Sequence, residues 1–452
     1  MTNPDLHNYL ASLKEGKDIL RFSKSIPRDY VITALMLQMD QQKVEKVLVF
    51  DNVEGCDIPI VTNIFASRER IASMMGGTEK DMSKNWLEVE KKRIKPKIVS
   101  QGPVQEVILT GDALDITKLP IMHHFSTDAG RYITSGIAVA NDPDTGVRNL
   151  SFHRIQIKES GKAGISLHSR QHLWDYFRRA EAKNQSLEIA VIIGAHPLVI
   201  LGASAKTGID MDEYDIVGGL LGEPLELVKG QTVNVDYPAT AEIVLEGRIL
   251  ANVREPEGPF GEYTGYSTSR STENVFEVTA IVRRKNPFYL SIVPADSTDH
   301  LNLMRVAKEA LVLDRLKERV PSVLGIHYPK SGVNFHCVIS LGEGATGTVR
   351  QALMLMFGLD PYLKLIIAVD EDINITDENE VLWALATRMQ GDKDIFIVPK
   401  VYTNRLDPSS SEGMGAKVGI DATVDKDSDA IRCSPKKEYI ELASKIFKEI
   451  VR

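Results

Sequence analysis

Between residues 104 and 293 apolar and polar positions alternate in short runs: VQEVILTG, RYITSGIAVA, LSFHRIQI, LEIAVIIG, TAEIVLEGRI, VFEVTAIVRR and FYLSIVP. A period of two puts neighbouring side chains on opposite faces of a strand. Gly, Pro, Asp and Asn separate the runs. The pattern therefore predicts many short strands in succession, as in a barrel or sandwich rather than a doubly wound sheet. The first hundred residues are mixed. KVLVF followed by DNVEG predicts a strand ending in a turn. SRERIASMMGGTEKDMSKNWLEVEKKRI predicts one or two helices broken at Gly76-Gly77. After Pro294, LNLMRVAKEALVLDRLKERV predicts a single helix ending at Pro321. NFHCVISL and LKLIIAVD then alternate with the helical TVRQALMLMFGL and ENEVLWALATRM, an α/β pattern. RLDPSSSEGMGAKVGIDATVDKDSD predicts a loop. In the last segment, SPKKEYIELASKIFKEIVR, Ser434 is the predicted N-cap and Pro435 the first helical residue. Tyr439, Leu442, Ala443, Ile446, Phe447 and Ile450 share one helix face. Such a stripe must dock, either on its own domain or across a dimer.

A chain of 452 residues is long for one core, so two or three domains are expected. A net charge of -8 argues against nonspecific binding to nucleic acid. The N-terminal MTNPDLHNYLASLKEGKDIL carries charges where a signal peptide needs an apolar run. No apolar stretch approaches the roughly 20 residues that span a membrane, so a cytoplasmic protein without a membrane partner is expected. Cys56, Cys337 and Cys433 are far apart and form no CxxC pair, which predicts buried, reduced thiols.

The candidate chemistry lies in NVREPEGPFGEYTGY, residues 252–266. Pro259, Gly258 and Gly261 make a helix costly there, so Glu257 and Glu262 are expected on a fixed, tight loop. Carboxylates on a rigid loop suit proton transfer. Phe260, Tyr263 and Tyr266 accompany them, and strands flank the loop.

EGPFGEYTGY resembles the signature loop of the UbiD family of decarboxylases, which use prenylated FMN. VRNLSFHRIQI, SLHSRQH, ATAEIVLEGRI and LIIAVDEDINI followed by VLWALATRMQ extend the resemblance over most of the chain. It implies an α/β (α+β) fold: an N-terminal α/β segment (1–103), a split β-barrel flavin-binding domain (104–300), a linking helix (301–320), a C-terminal α/β oligomerisation domain (321–430) and a dimerisation helix (431–452). It implies a catalytic set of Arg154, Glu257 and Glu262. Arg154 would hold the substrate carboxylate, Glu257 would pair with Arg154, and Glu262 would carry the proton. It also implies Asn149, His168 and Glu213 as ligands of Mn2+ or Mg2+ on the cofactor phosphate. Backbone carbonyls around Ala203 and Ser204 would hold K+. Ser151, Phe152, His153, Leu167 and Lys364 complete the implied cofactor contacts, with His153 on the strand face opposite Arg154 and otherwise structural. A flavin prenyltransferase would supply the cofactor, and the protein would assemble as a homodimer or homohexamer.

The implied substrate wall runs from Asp296 to Lys308 and contains Thr298, Asp299, His300 and Arg305. Polar groups there point to a substrate with a second polar group, such as a hydroxylated aromatic or heteroaromatic acid. Alternatively, His300 and Arg305 simply cap or solvate the linking helix. Three other readings compete, one of them a non-catalytic module or decayed paralogue, against which the intact catalytic and metal positions argue. A split-barrel FMN oxidoreductase would use the strands but not the Arg/Glu/Glu set. A hydrolase built on His123, His124 and Asp128 lacks metal-ligand spacing.

Overall fold

The computed structural model describes residues 4–167, 171–342, 347–411, 413–425, 428–429 and 431–450. It has the mixed α/β architecture expected. A small sheet opens the chain, with Ile19–Phe22, Val47–Phe50 and Ile60–Thr62 in that order and Tyr289–Leu290 added from far downstream. The central sheet has nine strands. Its order is Tyr132–Ile133, Ile155–Glu159, Lys162–Ile165, Ser271–Arg283, Ile243–Glu257, Leu187–Ile193, Ile137–Asn141 and Arg148–Phe152, with Val107–Thr110 also paired to Ser271–Arg283.

That order has a geometric consequence. Arg148–Phe152 ends the sheet on one side, and Ile155–Glu159 is next to the last strand on the other. Only His153 and Arg154 join them, and the three steps from Phe152 to Ile155 span at most about 11 Å. The sheet therefore curls until its opposite ends nearly meet, and Arg154 stands at the seam. LSFHRIQI, read as one strand, is broken at these two residues. His153 and Arg154 consequently do not alternate across a strand.

The period-two pattern explains the packing. Ile137, Val139, Ala190 and Ile192 face one apolar cluster, while Ala138, Ala140, Ile189 and Val191 face another. Gly247 marks a bulge where strands crowd, because a Cβ there would lie 2.0 Å from the Glu277 carbonyl oxygen. The helix Thr298–Arg319 is capped by Ser297 and leads to a five-stranded sheet of Val323–His327, His336–Leu341, Leu365–Asp370, Met414–Asp421 and Ile395–Tyr402.

Three expectations change. Residues 414–421, expected in a loop, form a strand between Leu365–Asp370 and Ile395–Tyr402. Its glycines hide the β pattern and are needed for packing, since a Cβ on Gly419 would lie 2.3 Å from the Phe396 ring. The C-terminal helix begins at Lys437, and the Ser434 hydroxyl bonds the Pro435 carbonyl instead of capping. Cys337 is buried, but Cys56 is half-buried and Cys433 exposed. The apolar stripe of the last helix is exposed on this chain at Tyr439, Leu442, Ile446, Phe447 and Ile450. Among the described residues no helix is long and apolar enough to cross a membrane.

A buried carboxylate clamps the N-terminal helix Leu6–Ser12 to the central sheet. Glu242 is fully buried and accepts from Phe288 N at 2.9 Å, with His7 Nε2 at 3.1 Å and Arg284 Nε at 3.4 Å. Arg284 also pairs with Asp5 at 2.8 Å. The hydrogen bond to Glu242 raises the His7 pKa above 6.5 despite partial burial. The charged pair thus stabilises the fold fully below pH 6.5 and loses that contribution as pH rises through the raised folded value. Thermal melts taken across this window should show Tm falling with pH more steeply in the native chain than in His7→Asn; equal slopes would refute the clamp.

Candidate active site

The seam brings together two segments that lie about a hundred residues apart in sequence. Arg154 donates through Nε and Nη2 to both oxygens of Glu257, at 3.1 and 2.9 Å, and through Nη1 to Glu262 Oε1. Glu257 is 1% and Glu262 8% exposed, so one guanidinium is shared by two nearly dry carboxylates. Burial works against the charge of Arg154, but the bond to Glu257 and the charge of Glu262 hold its pKa above the ordinary arginine value. Glu257 is the last residue of the strand Ile243–Glu257 rather than a loop residue; Glu262 does lie in the loop.

The loop is fixed by its own sequence. Gly258 has φ 78°, a left-handed conformation that favours glycine. Gly261 N donates to Asp128 Oδ1 at 2.8 Å, and a Cβ on Gly261 would lie 2.7 Å from the Phe125 ring. Ala129 N and the Tyr132 hydroxyl both donate to the Pro259 carbonyl, at 2.8 and 3.3 Å. Tyr132 and Phe260 rings pack at 4.7 Å, and Arg154 lies over Phe260 at 5.2 Å. Burial and then Glu257 drive the Tyr132 pKa upward, so this phenol stays protonated.

A second polar cluster joins the strand Arg148–Phe152 to the helix Glu213–Leu221. Glu213, 2% exposed, accepts from Leu150 N at 2.9 Å and Thr207 Oγ1 at 2.7 Å, and the Asn149 amide lies 3.2 Å away. Burial pushes its pKa up to about 7, against the pull of these bonds. His153 Nδ1 is 2.9 Å from the Ser166 carbonyl, which only accepts, so Nδ1 carries a proton, and Nε2 lies 2.9 Å from Ser151 Oγ. Ser151 Oγ donates to Asn149 Oδ1 at 3.0 Å, and Asn149 Nδ2 donates to Glu213 Oε1 at 3.2 Å. The amide and carboxylate oxygens of this buried cluster are hard donors of the kind that suit a divalent cation.

His168, the third expected ligand, lies outside the described residues. His172, missed in the sequence although it sits in the same SLHSRQH, is 3.5 Å from the Asn149 amide and 3.9 Å from Glu213. Ala203 ends the short helix Pro197–Gly202 and Ser204 follows it; Ala203 N, Ser204 N and Ala205 N bond the carbonyls of Val199, Leu201 and Gly202. Ser151, Phe152 and Arg154 are half-buried along one edge, and Leu167 is buried beside it.

Other expected residues stand apart from this cluster. Lys364 pairs with Asp407 at 2.8 Å and Ser409 at 2.6 Å in the C-terminal region. Arg305, 2% exposed, donates to Asn334 Oδ1 and the Pro329 carbonyl, so it does not solvate the helix. Asp299 accepts from Phe65 N and points into the N-terminal segment. Of the expected substrate wall, His300 lies where the charge of Glu262 reaches it. His123 and His124 are structural. Burial lowers the His124 pKa to about 3, its Nδ1 lies 3.0 Å from the Thr33 hydroxyl, and His123 bonds the Asp128 carbonyl. Sequence reading also missed Glu273, whose pKa is raised by burial and then by Glu257. Its position opposite Glu255 depends on strand register.

Family models for 3-octaprenyl-4-hydroxybenzoate carboxy-lyase match the chain in three pieces: an N-terminal domain at residues 10–89, a Rift-related domain at 97–297 and a C-terminal domain at 301–422. The anhydromevalonate phosphate decarboxylase of Methanothermobacter thermautotrophicus is 34% identical over 379 residues, covering 83% of this chain and 88% of its own. The UbiD-class enzyme HmfF from Pelotomaculum thermopropionicum, solved in complex with FMN, superposes with a TM-score of 0.93. It is 40% identical and covers 98% of this chain and 100% of its own. An evolved dimeric form of HmfF in complex with prFMN gives a TM-score of 0.86 at 38% identity, over 95% of this chain and 96% of its own.

Asp128 is 7% exposed and holds the loop through two acceptor bonds, to Gly261 N at 2.8 Å and Phe125 N at 3.0 Å. Asp128→Ala leaves both donors unpaired and should cost about 1–3 kcal/mol per buried group. Urea unfolding should show a lower midpoint at constant slope; an unchanged midpoint would mean that Asp128 does not brace the loop.

Proposed function

We infer that this chain, which belongs to the UbiD family of carboxy-lyases, decarboxylates an aromatic, heteroaromatic or α,β-unsaturated acid without net oxidation, using prenylated FMN. The observation that carries the reading is Arg154 held between Glu257 and Glu262 at the seam of the sheet. A guanidinium is a planar fork that fits a carboxylate. Glu257 grips two of its nitrogens and keeps it oriented and charged. Glu262 holds only Nη1 and is the partner that yields to an incoming substrate carboxylate. Released from Arg154, Glu262 would carry the proton that replaces CO2, drawn from solvent. When the C–C bond breaks, CO2 leaves and the electron pair stays behind. The Glu262 proton then goes to that carbon, and the resulting carboxylate returns to Arg154. Phe260 and Tyr132 keep water from the reacting centre.

Bound prenylated FMN would supply the electrophilic centre that takes up the electrons. Ser151, Phe152, His153, Arg154 and Leu167 would line it. Asn149 and Glu213, with His168, would hold Mn2+ or Mg2+ at its phosphate, and the Ala203 and Ser204 carbonyls would hold K+. A flavin prenyltransferase would provide the cofactor. The exposed stripe of the last helix supports a homodimer, alone or within a homohexamer. The carboxy-lyase family sets aside the oxidoreductase alternative.

The favoured substrate is a hydroxylated aromatic or heteroaromatic acid, because of His300. Its Nδ1 lies 2.8 Å from the Ala295 carbonyl and so carries the proton, and burial keeps the ring neutral. Nε2 is then an acceptor, suited to a hydroxyl or a ring N–H.

Protein co-produced with a flavin prenyltransferase and supplied with Mn2+ should contain prenylated FMN by absorption spectrum and released-cofactor mass. It should release CO2 from a panel of hydroxybenzoic, furan and pyrrole carboxylic acids and phosphorylated alkenoic acids. No flavin in folded, metal-loaded protein would overturn the reading. Glu262→Gln should retain cofactor but lose turnover by roughly 10²-fold or more; full turnover would remove Glu262 from its role. In cofactor-free protein, Mn2+ titration followed by electron paramagnetic resonance should show binding abolished in Glu213→Gln. In Ser151→Ala it should be weakened by about 10-fold or more, as expected for a group that orients a ligand; unchanged affinity in Ser151→Ala would mean that Ser151 does not orient Asn149 for the metal.

A further inference from the structure

Residues 258–261 are braced against the central sheet, but the segment that carries Glu262 is braced elsewhere. Glu262 N bonds the Tyr266 carbonyl and Gly265 N bonds the Glu262 carbonyl, both at 2.9 Å, which makes a local turn. The side chain that anchors this turn is Tyr263, 8% exposed. Its ring packs with Leu301 of the linking helix and with Phe335, whose ring is 5.8 Å away, and Val333 and Leu406 border the cluster. Its hydroxyl accepts from Asn404 Nδ2 at 2.5 Å. Asn404 belongs to the loop between the strands Ile395–Tyr402 and Met414–Asp421. That loop is rigid in itself. Asn404 Oδ1 accepts from Leu406 N, and Asp407 accepts from Ser409 N and Oγ and pairs with Lys364, which also bonds Ser409.

We propose that Tyr263 is a positioning residue that makes the placement of Glu262 depend on the docked Asn404–Asp407 loop of the C-terminal region. The inference rests on the proton-carrying role of Glu262. Arg154 holds that side chain in the resting state, but the same bond must open when a substrate carboxylate arrives. At that moment the turn from Glu262 to Tyr266 has Tyr263 as its outward anchor, and Tyr263 is adjacent to the reacting carboxyl. Lys364, anchoring Asp407 at the far side of the same loop, extends the brace into the C-terminal sheet.

The test uses the cofactor-loaded enzyme and the fastest acid of the panel above. Tyr263→Phe keeps the ring packing and removes the hydroxyl; Asn404→Ala removes the donor from the other side. Each variant is compared for kcat, KM, the pH profile of kcat and amide hydrogen exchange of residues 258–268. The expected result is the same in both: kcat lower by about 10-fold or more, KM within about twofold, a displaced acid–base limb in the pH profile, and faster exchange in 262–266 but not in 258–261, a loss within the range of a mispositioned general acid. Faster exchange with kcat unchanged would overturn the proposal, as would lower kcat with exchange unchanged, a rise in KM alone, or no change at all. Glu262→Gln, run alongside, separates the two ideas. If it stays active, the proton-carrier reading has failed; if it is inactive while both positioning variants keep full kcat, only the brace has failed.

Discussion

One half-buried cation between two buried carboxylates organises this protein. Arg154 lies more than a hundred residues from the stretch that carries Glu257 and Glu262, and the three meet with little exposure to water. Removing Arg154 would leave two dry carboxylates without a counter-charge, which proteins tolerate poorly. The surrounding structure serves that meeting. The sheet curls to bring its ends within two residues, the strand Ile243–Glu257 delivers one acid at its tip, and the glycine-rich loop delivers the other. The asymmetry of the contacts, two bonds to Glu257 and one to Glu262, supports the proposed division into a permanent partner and a displaceable one.

The cluster around Asn149 and Glu213, proposed above to hold a divalent cation, follows a different logic. It is a chain of hydrogen bonds rather than a meeting of opposed charges: Ser151 links His153 to the Asn149 amide, and the amide reaches the Glu213 carboxylate. A side-chain chain of this kind fixes the orientation of each member.

Much of this was legible in the sequence, because period-two alternation and turn residues report local geometry. The strands, the linking helix and the α/β tail were readable, and EGPFGE marked the acids. The sequence was silent where tertiary contacts override local pattern. LSFHRIQI looks like one strand because nothing in its alternation announces a seam. GMGAKVGID looks like a loop because its glycines answer to a neighbouring ring. The destinations of long side chains were also hidden: Lys364 and Arg305 are donors whose partners, Asp407 and Asn334, belong to other turns of the chain. His172 and Tyr263 went unread although each sits inside a quoted motif, since a motif names neighbours in sequence and not across the fold.

The bond between Tyr263 and Asn404 joins residues 141 apart in sequence. At roughly 5–20 residues per second of synthesis, the loop exists for about 7–28 s before its partner has been made. Once Arg283 has been made, every strand of the central sheet and both acids are present, so a nascent chain can hold Arg154 between its partners and still lack the anchor of the turn around Glu262. A chain interrupted before residue 404 would lack the partner of Tyr263, so completion of this arrangement is tied to synthesis of nearly the whole polypeptide.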